Sequence, residues 1–350
     1  MTERDSGISI NESLRRKQVG RFTYDTLRAK EGPNLINPSQ LINSRTDWQI
    51  LSIDLGGSKA TGALVTIGNG MEIHRDTLTV LKSRNGEGYR QFLEQMTKIA
   101  QNGSLPVGIS TTGIVEGSRL IKSSYLQRLL KDMEDIDCDF ARVFPNSKLA
   151  VLNDAVAGSV SAYAESIKRF PNVKEIIFLI NGSGLGGAIA SSEHRYSLEP
   201  GHVEVVDELN PYKRKGICSI TRQETSCMHL VTSGIGIEDT YFAKTGKRMQ
   251  GENLADNARH GDKIAQDILN WSSYMVAVTI EGIMSAFNIN PISSESAVVC
   301  HGGVFEMEEY REMIISNLND NLHSLPNLLF TKDISPNACL DGATIAAITS

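Results

Sequence analysis

Residues 50–65 read ILSIDLGGSKATGALV, and residues 176–190 read IIFLINGSGLGGAIA. Each stretch starts as a short apolar run, passes through a glycine-rich turn and resumes as a second apolar run, which predicts a β-hairpin. One supersecondary unit used twice in a chain indicates two related α/β domains. The length of 350 residues agrees with this, because a single core rarely grows so large.

The segments around the hairpins alternate between strand-like and helix-like patterns. LPVGIS and KLAVLND predict strands, AVAGSVSAYAESI predicts a helix, and residues 255–287 predict long helical structure. Such alternation is typical of a mainly parallel sheet. We therefore expect an N-terminal extension at 1–47, one domain at 48–165 and a second at 166–350, with a final helix at about 340–350 that packs back on the first domain.

The extension has little apolar periodicity and many charges. Its apolar residues Leu14, Phe22 and Leu27 are compatible with a short helix docked on the main body. A mobile tail fits the same sequence equally well. The pattern assigns this segment no chemistry.

Composition narrows the class of ligand and the compartment. The net charge of −6 gives no basic surface for nucleic acid or for an anionic membrane. No apolar run approaches the roughly 20 residues of a membrane helix. The five cysteines are odd in number and scattered, which is typical of a reducing compartment. We expect a cytoplasmic protein whose partners are small molecules, without nucleic-acid or membrane partners.

Both glycine turns are candidates for binding phosphate. Successive backbone N–H groups in such a turn can converge on anionic oxygens, and glycine leaves no side chain in the way. The alternative is that each turn merely joins two strands. Because the same glycine turn recurs in two matched hairpins, we favour phosphate binding. The predicted nucleotide contacts are Asp54, Gly56, Gly57, Ser58 and Lys59 in the first turn, Gly182, Ser183 and Gly184 in the second, and Gly302 and Gly303 after the strand SAVVC.

Two further segments carry side chains suited to an alcohol substrate. Asn153 and Asp154 follow a strand and open a helix, so they fit either a helix cap or ligand contacts at a sheet edge. Phosphoryl transfer needs a carboxylate that accepts the proton of the attacking hydroxyl, and Asp154 can supply it. Glu199 and His202, in the loop EPGH, can hydrogen-bond adjacent hydroxyls of a polyol, although a surface turn is the alternative.

In their order along the chain, these motifs resemble the ROK family of bacterial sugar kinases and sugar-responsive regulators. The matching segments are IDLGGSK, VGISTTGIV, VLNDAVA, LINGSGLGGAI, EPGH, CMHLVTSGIGI, CHGGVFE and LDGATIAA. The resemblance implies two actin-like (ribonuclease-H-like) domains with an interdomain cleft that closes on a hexose and on ATP with Mg²⁺. It also implies Asp154 as general base and sugar contacts from Asn153, Glu199 and His202. We expect a homo-oligomer, a dimer.

The chain departs from the family pattern at its cysteine motif. Family kinases carry the motif Cys-x-Cys-Gly-x-x-Gly-Cys. Its thiolates bind structural zinc together with the histidine of the sugar-binding loop, which corresponds to EPGH here. Here the stretch runs from Cys218 to Cys227, and only Cys227 is in register. His202, Cys218, Cys227 and His229 form a conceivable set of four ligands, but we favour a fold without zinc. His229 stands where the family has an acidic sugar contact, and Val156 replaces an asparagine.

Two classes of function compete for this sequence. The first is a kinase that phosphorylates a hexose or N-acetylhexosamine, with ATP and Mg²⁺. The alternative is a sugar-sensing regulator or a catalytically silent sugar-binding protein of the same fold. The extension shows no clear helix-turn-helix. The phosphate-turn residues and Asp154 are retained, and we therefore favour the kinase.

Overall fold

The chain divides into two compact units. A computed structural model describes residues 12–31, 48–68, 72–82, 87–101, 104–123, 126, 129, 131, 139–218, 222–322 and 327–349. Unit 1 comprises Met1–Lys30, Leu179–Gly187 and Leu198–Ile334, and unit 2 comprises Glu31–Phe178, Ala188–Ser197 and Ser335–Ser350. Within the described ranges, no helix combines the length and the apolar character needed to cross a bilayer.

The strands are β1 (Lys30–Glu31), β2 (Trp48–Leu55), β3 (Lys59–Ile67), β4 (Ile73–Lys82), β5 (Val107–Thr111), β6 (Ile114–Glu116), β7 (Arg119–Lys122), β8 (Leu149–Asn153), β9 (Glu175–Asn181), β10 (Leu185–Ser191), β11 (Arg195–Leu198), β12 (Gly216–Ile217), β13 (Glu224–Thr225), β14 (Ser296–His301) and β15 (Asn327–Phe330). The helices are α1 (Glu12–Val19), α2 (Tyr89–Gln101), α3 (Phe140–Val143), α4 (Asp154–Arg169), α5 (Met228–Thr232), α6 (Gly234–Thr245), α7 (Gly251–Arg259), α8 (Lys263–Ala286), α9 (Gly303–Glu306), α10 (Glu308–Leu322) and α11 (Ala338–Thr349).

Unit 2 contains a five-stranded sheet in the order β4-β3-β2-β5-β8. β2 and β3 pair antiparallel, with Asp54 opposite Thr61, so the predicted first hairpin is confirmed. β5 lies parallel between β2 and β8, as the predicted strands require. Leu51, Ile53 and Leu55 alternate onto one face of β2, where they join the core cluster that includes Tyr89 of α2.

The opposite face of this sheet is covered by α11, which approaches the backbone closely. The Ser52 hydroxyl donates a hydrogen bond to the Leu340 carbonyl at 2.7 Å. A Cβ added at Gly342 would lie 1.6 Å from the carbonyl oxygen of Ala157 in α4. Helices can approach this closely only where one of them lacks a side chain, so glycine sets the packing of α11 on α4.

The larger sheet has six strands in the order β1-β11-β10-β9-β14-β15, and β14 and β15 are parallel. β9 and β10 are neighbours joined by a short glycine turn, which confirms the second predicted hairpin. The long helix expected at 255–287 is broken. Gly261 has φ +96°, and the Asp262 carboxylate accepts hydrogen bonds from the N–H groups of Ile264 and Ala265 at 3.0 and 3.1 Å. Asp262 therefore caps a new helix, α8.

The described part of the N-terminal extension, Glu12–Lys30, packs within unit 1. Phe22 and Leu27 are fully buried there. Arg15 forms an ion pair with Glu281 of α8 at 3.0 Å. For these residues, the docked helix is therefore correct and the mobile tail is wrong.

Candidate active site

Asp54 lies at the carboxyl end of β2, on the side of the five-stranded sheet where its parallel strands end. The Ser110 hydroxyl on the neighbouring strand donates a hydrogen bond to Asp54 Oδ1 at 2.8 Å. Burial raises the pKa of Asp54, while this hydrogen bond and the Lys59 ammonium oppose the rise. A desolvated carboxylate with a cation at the other end of its turn is an arrangement suited to a bound metal–phosphate group. Ser110 lies in the segment VGISTTGIV, but no pattern in the sequence indicates its contact with Asp54.

A tyrosine from another element forms a hydrogen bond to the backbone of the first glycine turn. The Gly56 N–H donates to the Lys59 carbonyl at 2.9 Å, which closes the turn. The hydroxyl of Tyr89, at the start of α2, donates to the Gly56 carbonyl at 2.7 Å. Tyr89 is buried, and burial raises the pKa of its hydroxyl, so it remains a donor. No sequence motif singles out Tyr89.

Asn153 and Asp154 occupy different roles at the start of α4. Asn153 is the N-cap, and its Oδ1 accepts from the N–H groups of Ala155 and Val156 at 2.9 and 3.4 Å. Its amide group also donates to the Gly113 carbonyl at 3.0 Å. Asp154 is the first helical residue, where the helix dipole favours a negative charge. Asp154 Oδ1 also accepts from the Ala155 N–H at 2.9 Å, so Asn153 is the N-cap and Asp154 shares one of its donors.

Strand register brings Asp54 and the start of α4 to one edge of the sheet. Asp54 lies opposite Ser110 of β5, and Thr111, the next residue, lies opposite Asn153 of β8. One strand separates them, which corresponds to about 10 Å at the usual strand spacing. The carboxyl ends of parallel strands are where open α/β sheets bind ligands.

The second glycine turn lies in unit 1 beside Gly302 and Gly303, the other predicted nucleotide contacts. The Gly182 N–H donates to the Gly184 carbonyl at 2.9 Å, and the Gly234 N–H donates to the Gly182 carbonyl at 2.8 Å. A Cβ added at Gly182 would meet no atom within 4 Å, so the turn has open space on that side. Gly302 has φ +104°, and a Cβ added there would lie 2.4 Å from the carbonyl oxygen of Asn181. Ser183 lies within this turn, and Gly303 begins α9.

Three of the four predicted sugar contacts, Glu199, His202 and His229, lie in unit 1. His202 Nε2 lies 3.9 Å from Glu199 Oε2, and the rings of His202 and His229 stack at 6.2 Å. Burial lowers the pKa of His229, which favours the neutral ring. Burial raises the pKa of Glu199 to about 7, and Arg28 and Lys30 oppose the rise.

Cys218 and Cys227, which stand where the family has its cysteine motif, lie next to this cluster. His202 Nδ1 is 3.3 Å from Cys218 Sγ. Burial raises the pKa of the Cys227 thiol, whereas zinc binds thiolate. In the part of the chain that the structure describes, no group of three or more His, Cys, Asp or Glu side chains is placed to hold a metal. Only Cys227 is in register with the family's zinc motif, and a fold without zinc stays a prediction.

We expect the purified protein to contain no stoichiometric zinc and to keep its melting temperature in chelator. A structural zinc site contributes heavily to folding, on the order of 10 kcal/mol in small modules, so its removal would be unmistakable. Elemental analysis of protein prepared without added zinc measures the first quantity, and a thermal melt with and without chelator measures the second. About one zinc per chain together with a collapsed melting temperature would contradict the expectation.

The raised pKa of Glu199 also predicts a pH dependence of stability. Its folded value of about 7 exceeds the ordinary value of 4.5, so folding takes up a proton between these values. Stability from this group is therefore full at low pH and is lost as the pH rises through 7. We expect Glu199→Gln to raise the melting temperature by several degrees at about pH 8.5 and to leave it unchanged at about pH 5. Glu193→Gln, at an exposed side chain, is the control; an equal shift at both pH values would refute the assignment.

The glycine hairpins, the sheets they enter and the helices that alternate with the strands define a mixed α/β fold of the actin-like class. The sequence matches the ROK family over residues 50–348, and the chain belongs to that family. No curated protein matches the sequence at a significant level.

Solved structures with the same fold include kinases and a regulator. A ROK hexokinase from Thermus thermophilus is 16% identical, with a TM-score of 0.62, and the match covers 86% of this chain and 98% of that one. A ROK glucokinase from Streptomyces griseus, solved with glucose and AMPPNP, is 17% identical, with a TM-score of 0.61 and coverage of 86% and 99%. A ROK transcriptional regulator, a homologue of the E. coli MLC protein, is 16% identical, with a TM-score of 0.58 and coverage of 95% and 88%.

Proposed function

We propose that the protein is an ATP-dependent kinase that phosphorylates a hydroxyl of a hexose or N-acetylhexosamine. The observation that carries the proposal is the pair of carboxylates at one sheet edge, Asp54 and Asp154, with the Ser110 hydroxyl hydrogen-bonded to the first. One carboxylate suits the metal–nucleotide group, and the other suits the attacking alcohol. A separation of about two strand spacings leaves room for the phosphoryl group in transit.

The residues present fit ATP with Mg²⁺. The Thr111 hydroxyl at the end of β5 is buried without a hydrogen-bond partner among the described residues, so this edge has an unused polar group. Asp54 would hold Mg²⁺ through water, and Lys59 and the N–H groups of the first turn would bind phosphate oxygens. Mg²⁺ would supply neutralisation of the charge that develops on the transferring phosphoryl group. Ser58, Gly182, Ser183 and Gly303 would complete the nucleotide contacts.

Asp154 acts as general base in this proposal. It accepts the proton of the sugar hydroxyl while that oxygen attacks the terminal phosphorus. Asn153 keeps its amide engaged with the cap and with Gly113, so it contributes by fixing the orientation of Asp154 as well as by any contact with sugar.

Glu199, His202 and His229 would select the sugar through its hydroxyl pattern. An ionised Glu199 only accepts hydrogen bonds, whereas each neutral histidine ring can donate one and accept one. His229 takes the place of an acidic residue in the family pattern, so the pattern of hydroxyls preferred here should differ from that of relatives with the acid. That the Streptomyces griseus glucokinase was solved with glucose supports a hexose.

A sugar-sensing regulator is the second candidate, because a solved ROK transcriptional regulator shares this fold. The two candidates differ in turnover. A kinase releases ADP continuously in the presence of its sugar, whereas a regulator binds sugar without consuming ATP.

The deciding experiment measures ADP formation with ATP and Mg²⁺ against a panel of hexoses and N-acetylhexosamines. Sugar-dependent ADP release that disappears in the Asp154→Asn variant supports the kinase. Sugar binding by calorimetry without any ADP release would overturn the proposal in favour of a regulator or silent binding protein.

Gly302→Ala should weaken nucleotide binding by about tenfold or more. The change places a methyl group 2.4 Å from the Asn181 carbonyl and forces an alanine into φ +104°, so the turn must shift. Gly246→Ala is a matched control, because Gly246 also has a positive φ of 72° but its Cβ would meet no atom within 4 Å. Calorimetry with ATP provides the affinities. Gly57→Val and Gly184→Val should also weaken ATP binding. Unchanged affinity in all three variants would contradict the hypothesis that both glycine turns bind the nucleotide.

A further inference from the structure

The first glycine turn receives a hydrogen bond from a side chain of the apolar core. The Tyr89 hydroxyl donates to the Gly56 carbonyl at 2.7 Å, and the two residues are 33 positions apart. The Tyr89 side chain is fully buried and belongs to the core cluster that includes Leu55 and Phe92. A side chain that is packed on all sides has few alternative positions. The hydroxyl is therefore a stationary donor to which the turn is attached.

Core packing accounts for the ring of Tyr89 but not for its hydroxyl. A phenylalanine would bring the same apolar contacts and would leave the Gly56 carbonyl without this donor. Burial and the negative charge of Asp54 raise the pKa of the hydroxyl, so it keeps its proton and donates. A buried tyrosine hydroxyl needs an acceptor. Here that acceptor belongs to the turn that carries the predicted phosphate contacts.

The bond to the Gly56 carbonyl also determines the direction of the Gly57 N–H. A trans peptide group is planar, and its C=O and N–H point in opposite directions. Because the carbonyl points towards Tyr89, the N–H of Gly57 points away from α2 and from the core. Glycine lies on both sides of this peptide group, and the backbone of glycine accepts either orientation at little cost. Turning the group over would present an oxygen where the N–H now lies.

Further hydrogen bonds hold the turn on both sides of this peptide group. The Gly56 N–H donates to the Lys59 carbonyl at 2.9 Å. The Thr112 N–H donates to the Leu55 carbonyl at 3.1 Å. These bonds restrain the neighbouring residues, and the bond from Tyr89 restrains the peptide group itself. The orientation of that group therefore depends on the Tyr89 hydroxyl.

We propose that Tyr89 is a positioning residue of the nucleotide site, whose hydroxyl orients the peptide group between Gly56 and Gly57 so that its N–H donates to a phosphate oxygen of ATP. Tyr89 touches no substrate and acts through the turn. The inference rests on the proposed function for its nucleotide. An inverted peptide group would place a carbonyl oxygen against the phosphate, which is repulsive. Loss of the hydroxyl therefore lowers the affinity for ATP and leaves the affinity for the sugar unchanged.

The test compares Tyr89→Phe and Tyr241→Phe with the wild type by calorimetry with ATP and Mg²⁺. Tyr241→Phe is the matched control, because it also removes one hydroxyl hydrogen bond of a buried ring, here to Asp262 at 2.6 Å. We expect Tyr89→Phe to weaken ATP binding about fivefold to tenfold, as the loss of one hydrogen bond implies, and to raise KM for ATP equally. KM for the sugar should stay within about twofold, and Tyr241→Phe should change neither constant. Wild-type ATP affinity in Tyr89→Phe, or an equal loss in Tyr241→Phe, would overturn the inference, whereas a wild type that binds no nucleotide refutes the proposed function.

A second measurement uses nuclear magnetic resonance and needs no nucleotide. Glycine labelled with ¹³C at its carbonyl and ¹⁵N at its nitrogen gives one carbonyl-to-amide correlation for every glycine that directly follows another. The chain has three such pairs, Gly56–Gly57, Gly186–Gly187 and Gly302–Gly303. Gly57→Ala identifies the first signal by removing it. We expect Tyr89→Phe to shift that signal and to leave the other two in place, because the lost hydrogen bond ends on the Gly56 carbonyl. Tyr241→Phe should leave all three in place. An unshifted first signal in Tyr89→Phe would overturn the inference even if ATP binding weakened, since the peptide group would then not depend on the hydroxyl.

Discussion

Replacing Asp154 by asparagine is expected to lower kcat for sugar phosphorylation by about 10²-fold or more, with KM for the sugar little changed. Asparagine keeps the size of the side chain but cannot accept the proton of the attacking hydroxyl. The fold should survive, because Asn153, and not Asp154, supplies the N-cap of α4. Initial rates of ADP formation with the best sugar of the panel measure the effect, and far-ultraviolet circular dichroism with a thermal melt checks the fold.

The control for this variant lies on the same helix. Glu165→Gln near the other end of α4 removes a carboxylate that pairs with Lys168 at 2.8 Å, and it should leave kcat unchanged. If Asp154→Asn retained more than about half of the wild-type kcat, the general-base assignment would be wrong.

Gly342→Ala is expected to destabilise the protein by about 3 kcal/mol or more, because overpacking of a close helix contact forces the backbones apart. The added methyl would lie 1.6 Å from the Ala157 carbonyl oxygen, and neither partner is a flexible side chain that could move aside. A fall in melting temperature of roughly 4 °C follows from the usual scaling for a chain of this size. Differential scanning calorimetry gives the value.

Gly251→Ala separates packing from helix propensity. Gly251 also lies in a helix, but its nearest neighbours to an added Cβ are at 3.8 and 4.0 Å, which is ordinary contact. Alanine there should be neutral or slightly stabilising, since it improves helix propensity by up to about 1 kcal/mol. Similar losses at Gly251 and Gly342 would show that the close approach of α11 to α4 does not determine the effect.

The sequence predicts the two hairpins because their signals are local. Glycine turns between apolar runs at 50–65 and 176–190 determine a hairpin without help from the rest of the chain. Asn153 and Asp154 are likewise recognisable where strand gives way to helix. The break between helices at Gly261 and Asp262 also has a local signal, a glycine followed by a capping residue. Strong apolar periodicity on both sides obscured this signal.

Contacts between residues far apart in sequence leave no such signal. Gln18 looks like any polar residue of a charged helix, yet its partners at Glu204 and Val206 make it one of the most buried side chains of the segment. Tyr89 contacts the Gly56 carbonyl from a helix that begins 33 positions later. A hydrogen bond of this kind depends on where two elements pack, and propensity or periodicity does not encode it.

The hydrogen bond from Ser52 to Leu340 spans 288 positions of the chain. The strand that carries Asp54 therefore obtains one of its two covering layers from a helix that the ribosome makes long after it. Until Ala338–Thr349 has been synthesised, the face of β2 that this helix covers lacks that layer, and exposed apolar sheet surface promotes association with other chains. Contacts of such separation also slow folding, because a long loop must close before they form. Nascent chains stalled before residue 338 should accordingly be candidates for chaperone binding.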